Sequence, residues 1–409
     1  MRISTQELLR IRRDRSSTIL ITGGTGFLGS HIVARLLRDG YRVLLLVRSS
    51  KQLPAPKRVA QLLDWFGMDG DEGARLRVIE GVVDEPNLGM NKAEYDALCA
   101  HVQEIIHCAS NTSFSERKRK SVEKVNIDGL GNMLSLAARS GCFFFHHVST
   151  AYVAGKREGV CREEQEENDR FTNVYEETKY HGEKMVSEEC GPAGIRLSVY
   201  RPSIVYGDSK TGRGLKFNAV YYPIRMVLLL KSLYEADIRE RGGRKAAQMG
   251  VRLEADGSIY LPMTVEVKER GGVNLIPIDY FVEAFAAIME ELPDGGIFHI
   301  VNDRLKRIED LIDYTKKMFR IRGLEPCRAE ELEGKPRNAL ELIFDTYIEV
   351  YGPYMRDTRV FENDKTRLLL SERDITCPDF DFEVFSRCMM YGIETGWGTR
   401  LFTRETLSP

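Results

Sequence analysis

Apolar residues in this chain follow two rhythms. Short, nearly continuous apolar runs recur at Thr18 to Thr22, Arg42 to Val47, Leu76 to Ile79, Glu104 to His107, Phe143 to Val148 and Arg196 to Tyr200. Runs of this length and character predict strands buried on both faces of a parallel sheet. Between them, His31 to Arg38, Val122 to Arg139 and Tyr175 to Cys190 carry apolar residues at helical spacing, which predicts amphipathic helices. Strand and helix alternating in this way predict an α/β fold, a Rossmann-type doubly wound parallel sheet.

After Gly207 the rhythm changes. Phe217 to Glu235 is mostly apolar and aromatic, interrupted by Pro223 and Arg225. Residues 239–273 are rich in glycine and charge and read as loop and hairpin. Ile276 to Glu290 reads as a helix and Gly296 to Val301 as a strand returning to the sheet. Residues 307–409 are helical in pattern, with polar linkers around 324–338 and 371–381. The expected organisation is an arm over 1–17 and a dinucleotide-binding domain over 18–210, with returning elements at 274–305. A smaller mixed substrate-binding region or lid is expected over 211–273, and a helical C-terminal region over 306–409.

Composition narrows the function. The 409 residues are 43% hydrophobic and 29% charged, which excludes global disorder. Fifty-nine Lys and Arg against 61 Asp and Glu give a net charge of −2, so there is no overall electrostatic case for a nucleic-acid partner. The eight cysteines form no Cys-x-x-Cys pair, which argues against a zinc site and for a reducing compartment. His146 and His147 lack partners at metal-ligand spacing, so no metal is expected. The basic opening residues have no apolar run behind them, and no stretch reaches the ~18–20 apolar residues of a membrane span. A cytoplasmic enzyme is the expectation.

The first predicted strand breaks into Gly23-Gly24-Thr25-Gly26-Phe27-Leu28-Gly29 and then a helix. Glycines at 23, 26 and 29 suit a turn that brings phosphates onto unpaired amides at a helix N-terminus. Gly23, Thr25, Gly26, Phe27, Leu28 and Gly29 are therefore the candidate phosphate-binding set. The second strand ends Val47-Arg48-Ser49-Ser50-Lys51, with no acid until Asp64. An NAD site carries an acid there for the ribose 2′-hydroxyl. Arg48 instead offers a planar fork for a 2′-phosphate, which favours NADPH (NADP+).

Tyr175 and Lys179 stand four apart in a predicted helix, hence on one face. Ser149 and Thr150 end a predicted buried strand, where ligands bind in such sheets. A free phenol has a pKa of ~10, and a neighbouring ammonium would lower it toward the working range. Thr150 would hold a substrate oxygen as it becomes negative.

Glycine loop, hydroxyl strand end and tyrosine helix thus lie in order. With Ile106 to Ser110, Val125-Asn126, His147 to Gly155, Arg201 to Asp208, Asn274 to Tyr280 and His299 to Asn302, they resemble an extended short-chain dehydrogenase/reductase. Within that superfamily the chain is similar to the thioester-reductase and fatty acyl reductase ("male sterility") branch. Phe361-Glu362-Asn363, Phe380 to Phe382 and Gly392 to Gly398 look like the small C-terminal helical domain of fatty acyl reductases.

The resemblance implies that Tyr175 is the proton donor, Lys179 its partner, and Thr150 the oxygen-binding hydroxyl, with Ser149 second. It implies that Ala109 and Ser110 flank the cofactor, and that Pro202 to Ile204 line the nicotinamide side. The branch usually has Gly-Asp after the third strand, for the adenine amino group. Here Gly81 is followed by Val82, so that contact falls to the backbone or to Asp84. The implied function is NADPH-dependent reduction of an acyl thioester, on coenzyme A or a carrier protein, or of a related apolar carbonyl. Two alternatives stand: a ketone or alcohol dehydrogenase or epimerase of the superfamily, and a non-catalytic NADP-binding scaffold.

Three segments stay open. Arg117 to Lys120 reads as a solvated helix start or a dock for an acidic carrier or coenzyme A phosphates. The acidic run Glu163 to Asp169 reads as an exposed loop. Phe217 to Leu230 reads as a core helix, an acyl-tunnel lining or lid, or a peripheral membrane contact. Monomer and homodimer are both compatible with the sequence.

Overall fold

A computed structural model describes residues 15–50, 53–68, 70–291 and 294–401. Most of the expected arm, residues 1–14, and the last eight residues lie outside the described residues. Seven strands form one parallel sheet: β1 Thr18–Thr22, β2 Arg42–Val47, β3 Leu76–Glu80, β4 Glu104–His107, β5 Phe144–Val148, β6 Arg196–Pro202 and β7 Gly295–Ile300. Their spatial order is β7-β6-β5-β4-β1-β2-β3, a doubly wound sheet whose winding reverses between β1 and β4. The expected α/β class and Rossmann-type architecture are those of the structure.

The reason is visible in the burial of the strands. β4 and β5 have every residue buried, and β1 all but its first. One face packs Ile19, Ile21, Val43 and Leu45 against the helices Phe27–Arg38 and Ile278–Glu291. The other packs Leu20, Leu44, Ile105, Phe145 and Val199 against the helices Gly129–Ser140 and Val174–Cys190. Continuous apolar strands with helices on both sides follow directly.

Register positions the functional edge. Thr22 pairs with His107, His107 with His147, and Val148 with Tyr200. The segments that follow, Gly23 onward, Cys108 to Ser110, Ser149-Thr150 and Pro202, therefore emerge side by side at the C-terminal edge of the sheet. Ligands bind at this edge in open α/β sheets.

A second core departs from the expected organisation. The segment 239–273, read as loop and hairpin, does hold a hairpin, Arg252–Leu253 antiparallel to Ile259-Tyr260, but it also contains the helix Arg244–Gln248, and its second strand runs nine residues, Ile259–Val267. That strand pairs in parallel with Ile321–Arg328, inside the region expected to be helices joined by polar linkers. The strand covers 321–328, so the stretch from 324 is not a polar linker. Along Ile259–Val267 every second residue is buried and its neighbours half-buried. That period of two was there in Ile-Tyr-Leu-Pro-Met-Thr-Val-Glu-Val, but Pro262 and the surrounding charge masked it.

The helices Tyr221–Glu240, Ile308–Phe319, Ala339–Ile348 and Phe382–Glu394 complete this second core. Phe217 to Glu235 is thus largely a core helix in this unit, with Ile224, Val227 and Leu230 buried. Residues from 217–275 and 308–401 share one hydrophobic cluster, so the two segments expected to be separate pack as one body.

The acidic run is the expected loop, with Glu164, Gln165, Glu167 and Asp169 exposed, but its first residue departs. Glu163 is buried and accepts from the amides of His299 (2.8 Å) and Lys365 (2.8 Å) and from the Thr366 hydroxyl. A carboxylate out of water needs such partners, and here they tie the C-terminal helix Asp364–Ser371 to β7. Among the described residues no helix is long and apolar enough to cross a membrane.

Candidate active site

The glycine loop has the close approaches its spacing implied. Gly23 sits at φ +72, a conformation that disfavours side chains. A Cβ there would lie 2.5 Å from the Ala109 amide nitrogen, and one on Gly29 would lie 2.4 Å from the Gly23 carbonyl oxygen. The loop, the helix start at Phe27 and the segment after β4 are thus pressed together with no room for side chains. Around Gly26 only the Gly23 oxygen comes within 4 Å of such a Cβ, at 3.0 Å, so this part of the cradle is open. Thr25, Phe27 and Leu28 are partly exposed along the same loop.

Arg48 is exposed just past β2. Beside it stands a residue that sequence reasoning missed. Arg58, on the first turn of the helix Ala55–Trp65, donates to the Arg48 carbonyl at 2.8 Å and to the Thr25 hydroxyl at 2.9 Å. It brings a second guanidinium to the junction of glycine loop and β2. Ten positions separate it from Arg48, and no motif flagged it. Asp84, the displaced acid, lies 3.4 Å from the Lys124 ammonium.

Asn126 organises the segment after β4. Its side-chain oxygen accepts from the Ser110 hydroxyl (3.1 Å) and the Asn111 amide (2.8 Å). Its side-chain nitrogen donates to the Thr178 hydroxyl (2.9 Å) and the Asn111 carbonyl (3.1 Å). Residues Lys124–Asp128 form a π turn within an otherwise α-helical stretch. Such a turn rotates one side chain out of register and is frequent at functional sites. Ala109 donates its amide to the Thr22 hydroxyl at 3.2 Å, tying the end of β1 to the same segment.

Thr150, Tyr175 and Lys179 come together. Thr150 is buried at the end of β5, and caps the turn Ala151–Ala154 by accepting from the Tyr152 amide at 3.3 Å. Its hydroxyl donates to the Pro202 carbonyl at 3.4 Å and is near enough to Tyr175 to favour the ionised phenol. Lys179 is buried one turn along the helix and donates to the Val148 carbonyl at 2.6 Å.

The electrostatics correct one expectation. Burial pushes the Tyr175 phenol above its ordinary range, more than the Thr150 hydroxyl lowers it. Burial also brings Lys179 down to about 8. The ammonium was expected to depress the phenol, but it is spent on the Val148 carbonyl, and desolvation dominates both groups. The site as it stands holds Tyr175 in the neutral, proton-donating form.

Buried polar atoms nearby bear on whether a dinucleotide fits. Ser149 Oγ and Ser203 Oγ, flanking Thr150 and following Pro202, are buried without a hydrogen-bond partner among the described residues. Orphaned hydroxyls are rare in cores and mark unfilled polar positions. With the glycine cradle, the two arginines and the aligned strand ends, the residues present fit a nicotinamide dinucleotide. Among the described residues no group of three or more His, Cys, Asp or Glu could hold a metal ion.

The family model described as "Male sterility protein" matches residues 21–285. The chain belongs to the male sterility protein family. Family members of this kind are extended short-chain dehydrogenases/reductases of the thioester-reductase branch, built on a nicotinamide-dinucleotide-binding domain. It is 26% identical over 394 residues to a linear gramicidin synthase polypeptide of Brevibacillus parabrevis, covering 92% of the chain but only 7% of that protein. It is 24% identical over 249 residues to a 3β-hydroxysteroid dehydrogenase/Δ5→4-isomerase of Mycobacterium tuberculosis, covering 59% of the chain and 60% of that protein. The chain therefore spans a small part of the synthetase and somewhat over half of the dehydrogenase. Among solved structures, the terminal R domain of the myxalamid polyketide–peptide pathway superposes with a TM-score of 0.73 at 21% identity. That match covers 93% of this chain and 91% of the domain. A thiolation-reductase di-domain from an archaeal non-ribosomal peptide synthetase gives 0.70 at 18% identity, covering 93% and 76%. At these identities the superpositions speak to the fold of the family member.

Ile204 and Tyr354 help to line an apolar cavity of about 70 Å³. Ile224 and Val227 from the long core helix and Ile312 and Leu324 from the C-terminal region line it as well. The segment Phe217 to Leu230 therefore contributes both to the core and to the cavity wall. The basic run is split: Arg119 is bound to Glu116 and Glu177, both at 2.8 Å, while Arg117, Lys118 and Lys120 are exposed.

Proposed function

We propose that this chain reduces an acyl thioester, carried on coenzyme A or on a carrier protein, with NADPH as reductant. The observation that carries the reading is the convergence of Thr150, Tyr175 and Lys179 at the ends of β5 and β6, in a chain that also holds an apolar cavity lined by Ile204 and Tyr354. The glycine loop Gly23 to Gly29, with Ala109, Ser110, Pro202 and Ile204, would hold the dinucleotide, and Arg48 with Arg58 its 2′-phosphate. When bound there, the dinucleotide supplies hydride.

The chain's own groups do the rest. Thr150 and Tyr175 donate hydrogen bonds to the carbonyl oxygen as negative charge develops on it. Tyr175 gives up its proton, and Lys179 offsets the charge left on the phenolate. The resulting hemithioacetal loses its thiol as the C–S bond breaks, leaving an aldehyde; a second round gives an alcohol. The likeness to synthetase R domains supports an acyl group delivered on a carrier.

The test is NADPH oxidation with long-chain acyl-CoA and acyl-carrier-protein thioesters, with products identified by mass spectrometry. Aldehyde or alcohol with stoichiometric NADPH loss is expected. Aldehyde formed with no NADPH consumed would overturn the reading. A second reading, oxidation of an apolar alcohol or ketone reduction, draws on the likeness to the 3β-hydroxysteroid dehydrogenase. It is favoured if sterol-like substrates turn over and thioesters do not.

A further inference from the structure

The motif residues leave one cluster unused, and it centres on a tyrosine of the C-terminal region. Tyr354, in the short helix Gly352–Met355, is buried. Its hydroxyl donates to Glu176 Oε1 and accepts from Asn173 Nδ2 at 2.7 Å. Asn173 is the N-cap of the helix that carries Tyr175, accepting from the Glu176 amide at 3.1 Å. Glu176 Oε2 accepts from the Thr172 amide at 2.8 Å. The residue after Tyr175 and the cap two before it thus both end on one hydroxyl, brought in from 178 positions away.

The packing around this hydroxyl reaches the same place. The Phe114 ring lies 5.4 Å from that of Tyr354 and 5.9 Å from that of Tyr175, centre to centre. The Tyr354 ring also stands 5.0 Å from Tyr152, on the turn that Thr150 caps. On its other side it forms part of the wall of the apolar cavity. Glu176 is fully buried, so its carboxylate depends on these few donors.

We propose that Tyr354 is a positioning residue for the reduction. Through Asn173 and Glu176 it fixes the first turn of the Val174–Cys190 helix, and so sets the Tyr175 hydroxyl against Thr150. This rests on the reading of Tyr175 as the proton donor. It gives the C-terminal region a part in the active site. A hydroxyl displaced by about an ångström from its productive position loses rate without loss of binding, which separates positioning from mere support of the fold.

The experiment compares Tyr354→Phe, Glu176→Gln, the double variant and Tyr175→Phe, using octanoyl-CoA and octanal as carbonyl probes with NADPH. Tyr354→Phe keeps the ring and removes one oxygen. It is expected to lower kcat about tenfold, with KM and the NADPH Kd within twofold and the melting temperature nearly unchanged. The double variant is expected to be no slower than the slower single, because both cut one link. Hydrogen exchange at the Thr172 and Glu176 amides is expected to quicken in Tyr354→Phe, a readout that needs no turnover. Unchanged exchange, a kcat within twofold of wild type, or losses that multiply in the double variant would each overturn the inference. If Tyr175→Phe retains full turnover, the underlying reading of Tyr175 falls. If Tyr175→Phe is inactive and Tyr354→Phe is unaffected, only this inference falls.

Discussion

The sheet half of the molecule and its second body were built under different constraints. In the sheet, each strand is a local apolar run that its own residues announce, although β4 returns to β1 and β7 to β6 over long stretches of chain. β1 pairs with β2, the next strand along the chain, and β2 with β3. In the second body the principal strand pair joins Ile259–Val267 to Ile321–Arg328, and the core mixes residues from 206 to 401. The sheet half carries the glycine loop and the Thr-Tyr-Lys group. The second body carries most of the cavity wall, which Tyr354 joins while packing with Ala151 and Tyr152 of the sheet half. The proposed chemistry therefore sits on elements that local patterns announce, and the proposed substrate space on a body whose core no single segment completes.

The sharpest way to break this division is at Tyr175. Tyr175→Phe is expected to lower kcat by about 10²–10⁴, the usual worth of a positioned acid, with dinucleotide binding retained in fluorescence titration. Turnover equal to wild type would take the chemistry away from the sheet half.

The next test strikes the second body. Phe385, on the helix Phe382–Glu394, is fully buried and packs against Phe380 and Tyr314. Phe385→Ala is expected to cost about 3–5 kcal/mol of stability, read by denaturant melts, while native protein still binds dinucleotide. A loss below about 1 kcal/mol would mean that the C-terminal helices do not share this core.

A smaller effect is expected at the missed arginine. Arg58→Ala and Arg48→Ala are each expected to weaken NADPH about tenfold, the worth of one charge-assisted contact, and to leave NADH nearly unchanged. Equal losses for both dinucleotides would remove the 2′-phosphate assignment.

The smallest effect is a pH dependence. Burial lowers Lys179 to about 8, opposed by the neighbouring Cys108 and Glu183. The ammonium is present below that pH and lost above it. His107 and His147 pack close by and are held neutral by burial. The kcat/KM of the free enzyme is thus expected to be flat from about pH 6 to 7 and to fall above about pH 8. A profile flat to pH 10 would show that the charge on Lys179 is not needed.

Legibility followed the same division. Gly23, Gly26 and Gly29 were readable because backbone approach leaves a residue-type signature that no other side chain satisfies. Tyr175 and Lys179 were readable as a pair because helical spacing is local. The direction of the Tyr175 shift was not readable. It depends on what surrounds the phenol and on where the Lys179 ammonium points, and both are set by β5 and β6. Glu163 looked like one acid among several in a solvated loop, until β7 and the helix Asp364–Ser371 closed over it. Arg58 looked like an ordinary helix residue, because only the packing of its helix against the glycine loop gives it a role.

By itself, then, the amino-acid sequence determined the parallel sheet, the tight glycine loop after its first strand and the order of the hydroxyl, tyrosine and lysine. All of these arise from short-range patterns of burial, backbone freedom and helical period. Only the tertiary structure decided that residues 211–273 and 306–401 share one core, that Arg58 joins Arg48, and that Tyr354 meets Glu176. Those contacts bring together side chains tens to hundreds of residues apart, and no local preference of either partner encodes the other.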